Sequence, residues 1–93
     1  MKHYKVDFND YGLQQFNKLD NSIKQQVMKL LKKLENTDKP QAYGKPLSNN
    51  YKNHWTYKVS NFRIIAEIND NKLLVLVVDV DRRAIVYKNK KKK

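Results

Sequence analysis

The run Leu73-Leu74-Val75-Leu76-Val77-Val78 constrains the fold of this chain more than any other segment. Six consecutive apolar residues leave no polar face, so a strand built from them must be covered on both sides. The run is far too short to cross a bilayer, which needs about 20 residues as a helix. It therefore reads as the central strand of a sheet, and the rest of the chain must supply its neighbours and its cover. The neighbours are legible by their alternation. Trp55, Tyr57 and Val59 alternate with His54, Thr56 and Lys58, and Phe62, Ile64, Ala66 and Ile68 alternate with Arg63, Ile65 and Glu67. Ser60-Asn61 reads as a tight turn between them, and Asn69-Asp70-Asn71 as a second hairpin turn that lacks the glycine such turns prefer. Near the N-terminus, Tyr4, Val6 and Phe8 share one face of a short strand over residues 3–8.

Helices supply the cover. Ile23, Val27, Leu30, Leu31 and Leu34 are spaced to form one stripe of an amphipathic helix capped by Asp20 or Asn21, with Lys24, Lys29, Lys32 and Lys33 on its other face. A shorter helix, capped by Asn9 or Asp10, carries Leu13, Phe16 and Leu19, and a tight turn at Leu19–Ser22 joins the two. From Asn36 to Asn53 periodicity gives way to Asn, Asp, Pro, Gly and Ser, the composition of a loop. The expectation is an α+β fold of order β-α-α-β-β-β: an antiparallel twisted sheet with two N-terminal helices packed on one face. Ninety-three residues hold one core, so residues 1–87 read as a single domain and 88–93 as a basic, disordered tail. The chain has no cysteine to brace it, no internal repeat and no signal-like apolar run at its start. A soluble cytoplasmic protein is expected, with no membrane partner.

The charge directs attention to the face opposite the helices. Twenty Lys and Arg against nine Asp and Glu give a net charge of +11. Without the five tail lysines, residues 1–87 still carry +6. A polyanionic partner offsets the self-repulsion of such a chain. If the apolar sets of the two alternating strands face the core, then His54, Thr56, Lys58, Arg63 and Glu67 face away. Lys58 and Arg63 flank the Ser60-Asn61 turn, and Arg82, Arg83 and Tyr87 follow the adjacent strand. Cations that hold phosphates, edged by a ring that stacks on a base, suit single-stranded RNA.

These segments resemble the RelE family of toxins. The likeness is carried by Tyr-Gly-Lys-Pro-Leu at 43–47, Trp-Thr-Tyr-Lys-Val-Ser-Asn-Phe-Arg-Ile-Ile at 55–65, Glu67-Ile68, the apolar strand 73–78, and Asp81-Arg82-Arg83-Ala84-Ile85-Val86-Tyr87. The helical half agrees in length and pattern. The resemblance implies a fold like that of microbial ribonucleases and a toxin of a type II toxin–antitoxin system. Such a toxin is a ribosome-dependent endoribonuclease that enters the 30S A site, against 16S ribosomal RNA, and cuts mRNA by attack of the ribose 2′-hydroxyl on the adjacent phosphate. It implies an acidic antitoxin as partner and neither a cofactor nor a metal. By position, Lys58 matches a lysine that activates the 2′-hydroxyl, and Arg63 an arginine that binds the scissile phosphate. Arg83 matches an arginine that offsets transition-state charge, and Tyr87 a tyrosine that stacks on a base. Arg82, Thr56 and His54 are candidate RNA contacts. Thr56 stands where relatives often have a second lysine, and Arg82 where many have histidine. Two other functions share the fold: a ParE-like gyrase poison that leaves RNA intact, and an RNA-binding homologue of weakened activity.

Overall fold

The computed structural model describes residues 3–47 and 53–82, with Arg82 described in its backbone alone. Asn9 caps the first helix, α1 (Asp10–Asn17), its side chain accepting the Gly12 N–H at 2.7 Å. Asp20 caps α2 (Asn21–Glu35) in the same way through the Ile23 N–H. The expected stripe of α2 is the buried one: Val27, Leu31 and Leu34 are buried, with Ile23 and Leu30 packed partly against the core. Phe16 and Leu19 join them, but Leu13 is 45 % exposed and takes no part in the core. No helix among the described residues is long and apolar enough to cross a membrane.

The sheet has five strands: β1 (Lys5–Phe8), β2 (Lys45–Pro46), β3 (His54–Val59), β4 (Phe62–Asn69) and β5 (Leu74–Arg82). Their spatial order is β1-β5-β4-β3-β2. The apolar run does form the interior strand from Leu74 onward, flanked by β4 and β1, with Leu73 left in the preceding turn at φ 50°. The helices cover one face of this strand and not both, as the run of apolar residues leads one to expect. The sheet is mixed rather than wholly antiparallel, because β1 pairs parallel with β5, Lys5 opposite Leu74. The helical hairpin explains this: it lies across one face and separates β1 from the later strands, so β1 is not the arm of a hairpin. The stretch 36–53 is also not a bare loop. It contains a 3-10 turn at Pro40–Tyr43 and the short strand β2, which seats against β3.

Trp55, Tyr57 and Val59 of β3, Ile64, Ala66 and Ile68 of β4, and Val75, Val77 and Val80 of β5 face the helices and form one core with them. Two buried tyrosines tie the 3-10 turn to the sheet. Tyr57 donates its hydroxyl to the Pro40 carbonyl at 2.8 Å. Tyr4, 7 % exposed, donates to Asp70 at 2.5 Å, and Asp70 also accepts from Gln41 at 3.0 Å. Through Asp70, β1, the 3-10 turn and the β4–β5 hairpin hold one another. The hydrogen bond to Asp70, followed by burial and the negative charge nearby, pushes the Tyr4 hydroxyl from 10.0 up to about 12. A raised value means that Tyr4 contributes stability fully below the unfolded-state value near 10 and loses it as pH climbs toward 12. Tyr4→Phe should thus cost about 1–3 kcal/mol at neutral pH, as for a lost hydrogen bond to a charged acceptor. Denaturation of both proteins from pH 8 to 12 should show that gap closing above pH 10; a gap independent of pH would contradict the assignment.

Candidate functional site on the open sheet face

Strand pairing decides what stands together on the face away from the helices. Residues directly opposite in a ladder share a face, and neighbouring strands lie about 4.8 Å apart. Lys58 pairs with Arg63, and Arg63 with Asp81, which makes one row across β3, β4 and β5. The next row runs Lys45, Thr56, Ile65, Asp79 over β2 to β5. A third runs His54, Glu67, Leu76, Asp7 from β3 to β1. The expected placement of His54, Thr56, Lys58 and Arg63 on one face therefore holds, and Lys58 and Arg63 are direct cross-strand neighbours beside the turn. Arg83 and Tyr87 lie outside the described residues, as does the lysine tail, and the Arg82 side chain is not described.

The two-residue turn sets the Lys58–Arg63 register. Val59 and Phe62 pair across it, and Ser60 takes a positive φ of 54°. Glycine is the usual residue at the first position of such turns because it has no Cβ to clash there. Ser60→Gly should stabilise the protein by about 1 kcal/mol, read from thermal melting, and leave the Lys58–Arg63 pairing intact. A lower melting temperature would mean that the Ser60 side chain supports the turn.

Lys58 is exposed, whereas Arg63 is half-buried and its Nε is shielded from solvent. Arg63 thus stands partly sheltered by the sheet, while Lys58 beside it faces solvent. Gly44 brings β2 close enough to add Lys45 to this edge. A Cβ at Gly44 would lie 2.6 Å from the Thr56 carbonyl oxygen and 2.7 Å from the Tyr57 ring.

The face is not the uniformly cationic surface that the composition suggests. A bulge separates Ile65 from Ala66 in the pairing: Ile65 opposes Asp79 while Ala66 opposes Val77, leaving Val78 as the extra residue. Without the bulge Asp79 would continue the alternation of Val75 and Val77 into the core. With it, Val80 faces the core and Asp79 and Asp81 face outward. Among the described residues Lys5, Lys45, Lys58 and Arg63 are then matched by Asp7, Glu67, Asp79 and Asp81 on this face. All nine acids of the chain lie in the described residues, whereas eight of the twenty basic residues lie outside them. Asp79 and Asp81 are the site residues that sequence reasoning passed over; the spacing Val75, Val77, Val80 is the signal that carried them. Burial, and then the neighbouring Asp81, raise the Asp79 carboxyl above its ordinary value, with a hydrogen bond from the Val80 N–H opposing them.

A groove of about 800 Å³ lies between α2 and the edge strand β1. Val6, Phe8, Phe16, Met28 and Leu31 line it, and Lys24, Lys29 and Lys32 outnumber Glu35 among its charges. Lys24 lies 5.9 Å from the Phe16 ring centre, so part of the helix's basic face packs over aromatic carbon.

This architecture, a helical hairpin on one face of a five-stranded mixed sheet whose other face is open, is that of the RelE toxins. The structure superposes with a TM-score of 0.78 on the toxin–antitoxin complex RelBE2 from Mycobacterium tuberculosis, at 26 % identity over 90 % of this chain and 95 % of that one. It superposes at 0.72 on the isolated RelE toxin of Escherichia coli, at 23 % identity over 98 % and 97 % of the two chains. Residues 6–87 match the family of the ParE toxin of type II toxin–antitoxin system, parDE. A RelE-like toxin protein of Escherichia coli is 35 % identical over 81 residues, 86 % of this chain and 83 % of the relative. The chain belongs to the RelE/ParE superfamily and is a toxin of a type II toxin–antitoxin system.

Proposed function

We propose that this toxin is an endoribonuclease of the RelE kind, which cleaves mRNA in the ribosomal A site and is held inactive by an acidic antitoxin. The observation that carries the reading is the Lys58–Arg63 pair on the open face, across the β3–β4 turn. Attack of a 2′-hydroxyl on the adjacent phosphate needs in-line geometry, stabilisation of charge on the phosphate and acceptance of a proton. Arg63 offers its two-pronged fork to the non-bridging oxygens, and Lys58, its cross-strand neighbour, serves the attacking hydroxyl. Arg83 completes the neutralisation and Tyr87 stacks on a base in this scheme, with Arg82, Thr56 and His54 as peripheral contacts. A face that is charge-balanced in its described part binds free RNA weakly, so the ribosome supplies the placement of the message, through the 30S A site and 16S ribosomal RNA.

The lysine-rimmed groove beside β1 suits an acidic amphipathic segment, which supports an antitoxin of the kind present in the RelB–RelE complexes. The match to the ParE family favours a second reading, a gyrase poison that leaves RNA intact. One experiment separates the two: purified toxin is incubated with naked message, with programmed ribosomes, and with gyrase and plasmid. Codon-spaced cuts on ribosomes alone, ending in a 2′,3′-cyclic or 3′-phosphate, support the nuclease. Blocked supercoiling with intact message supports the gyrase poison.

A further inference from the structure

We propose that Asp79 is the general acid of the cleavage, giving its proton to the 5′-oxygen as that oxygen leaves the phosphate held by Arg63. The assignment rests on the nuclease reading above. Asp79 stands one strand across from Arg63 and one row along, since Arg63 pairs with Asp81 and Ile65 with Asp79. Strand spacing and rise put the two backbones roughly 8 Å apart, close enough for a phosphate over the guanidinium to present its leaving oxygen to the carboxyl. The bulge at Val78 is what turns this side chain to the face of Lys58 and Arg63.

The chemistry needs a donor, and the described face offers few. Arginine stays protonated in proteins, so Arg63 stabilises charge but releases no proton readily. Lys58 is placed to accept the proton of the 2′-hydroxyl. His54 lies two rows beyond Lys58 on the same strand, opposite Glu67. Asp79 is half-buried between Ile65 on the neighbouring strand and Val78 beside it, and that setting favours its neutral form. The charged groups that surround it on this face are Asp81 on its own strand, Arg63 and Glu67 on β4, Lys58 on β3, Lys45 on β2 and Asp7 on β1. A carboxyl in this place also works against stability at neutral pH, because its raised value means the folded state prefers it protonated. An asparagine would fit the same space at less cost.

The step balances without a further reactant. The 2′-oxygen forms a bond to phosphorus while its proton passes to Lys58 or to water. The bond from phosphorus to the 5′-oxygen breaks, and the Asp79 proton goes to that oxygen. The products are a 2′,3′-cyclic phosphate and a 5′-hydroxyl, and Asp79 regains its proton from solvent.

A leaving group that needs no proton tests the assignment. The full-length toxin, Asp79→Asn and Arg63→Ala are assayed in single turnover on ribosomes whose message carries either oxygen or sulfur at the 5′ bridging position of the scissile phosphate. Asp79→Asn is expected to cut the oxygen substrate about a hundredfold more slowly, the usual scale for general acid catalysis. It should cut the sulfur substrate at nearly the wild-type rate and melt no lower than wild type. The wild-type rate on oxygen should fall as pH rises through the raised Asp79 value, and this limb should vanish in Asp79→Asn. Arg63→Ala should be slow on both substrates. Wild-type rates for Asp79→Asn on oxygen, or equal losses on oxygen and sulfur, would overturn the assignment alone. Failure of the wild type to cut either message would overturn the nuclease reading and the assignment with it.

Discussion

Arg63→Ala is expected to slow message cleavage about a hundred- to a thousandfold while leaving a folded protein, the scale seen when one preorganised donor to developing charge is removed. The size of the effect follows from where Arg63 sits. Arg63 is half-buried and pairs with Lys58 on one side and Asp81 on the other, so its side chain has less freedom to lose than an exposed one when a phosphate arrives. Lys58 is exposed, and a lysine's single ammonium cannot take over a two-pronged contact. Arg63→Lys should therefore recover only a small part of the rate, because it restores the charge but not the fork. The loss of stability should stay near 1 kcal/mol, since the Arg63 side chain is only partly buried and lies outside the core. Mapping 5′ ends on translated messages in cells expressing each variant reads the rate, and thermal melting reads the fold. Wild-type cleavage by Arg63→Ala would remove Arg63 from the site.

The second large effect concerns the fold. Gly12→Ala should destabilise the protein by about 3 kcal/mol or more, as overpacking against a rigid neighbour does. In an open helix the same change would stabilise by about 1 kcal/mol. The sign reverses here because a Cβ at Gly12 would lie 2.3 Å from the Val77 carbonyl oxygen and 3.0 Å from its carbon. Those are backbone atoms of the interior strand, and they cannot swing aside as the tip of a side chain can. Either α1 lifts from the sheet or β5 bends, and both open the core under Val77 and Val75. For a domain of this size each kcal/mol lowers Tm by about 4–8 °C, so a loss of more than 12 °C is expected. Melting of Gly12→Ala in an Arg63→Ala background, which avoids toxicity during expression, measures it. An unchanged or higher Tm would show that α1 is free to move.

The elements were legible where one physical signal dominated. The stripe from Ile23 to Leu34 wrote α2, and the alternations around Trp55 and Ile64 wrote β3 and β4, with the Lys58–Arg63 pair as their consequence. The apolar run fixed β5 as the interior strand. What stayed hidden depended on pairing between distant segments. The parallel union of β1 with β5 leaves no local trace, because a strand's own alternation does not tell the direction of its neighbour. Pro46 and Lys45 form a two-residue strand only because Gly44 lets them approach β3. The bulge at Val78 moves Asp79 and Asp81 to the open face, and counting alternate residues from Val75 through the apolar run hides that shift. The charge of the chain likewise overstated the cationic character of the site, since the surplus lies largely outside the described face.

The parallel pairing of β1 with β5 also bears on when the toxin can become active. Lys5 hydrogen-bonds into the ladder only once the Leu73 carbonyl is available to accept its N–H. Such a long-range closure carries a loop entropy that local hairpins avoid, and it slows folding. The β3–β4 hairpin and α2 can form as soon as they emerge from the ribosome that makes them. The interior strand follows every other described element in the chain, and it brings both the partner of β1 and the Asp79–Asp81 side of the site. On the nuclease reading proposed above, the nascent chain thus lacks a finished face until β5 has been made, which delays any action on the ribosome that is producing it.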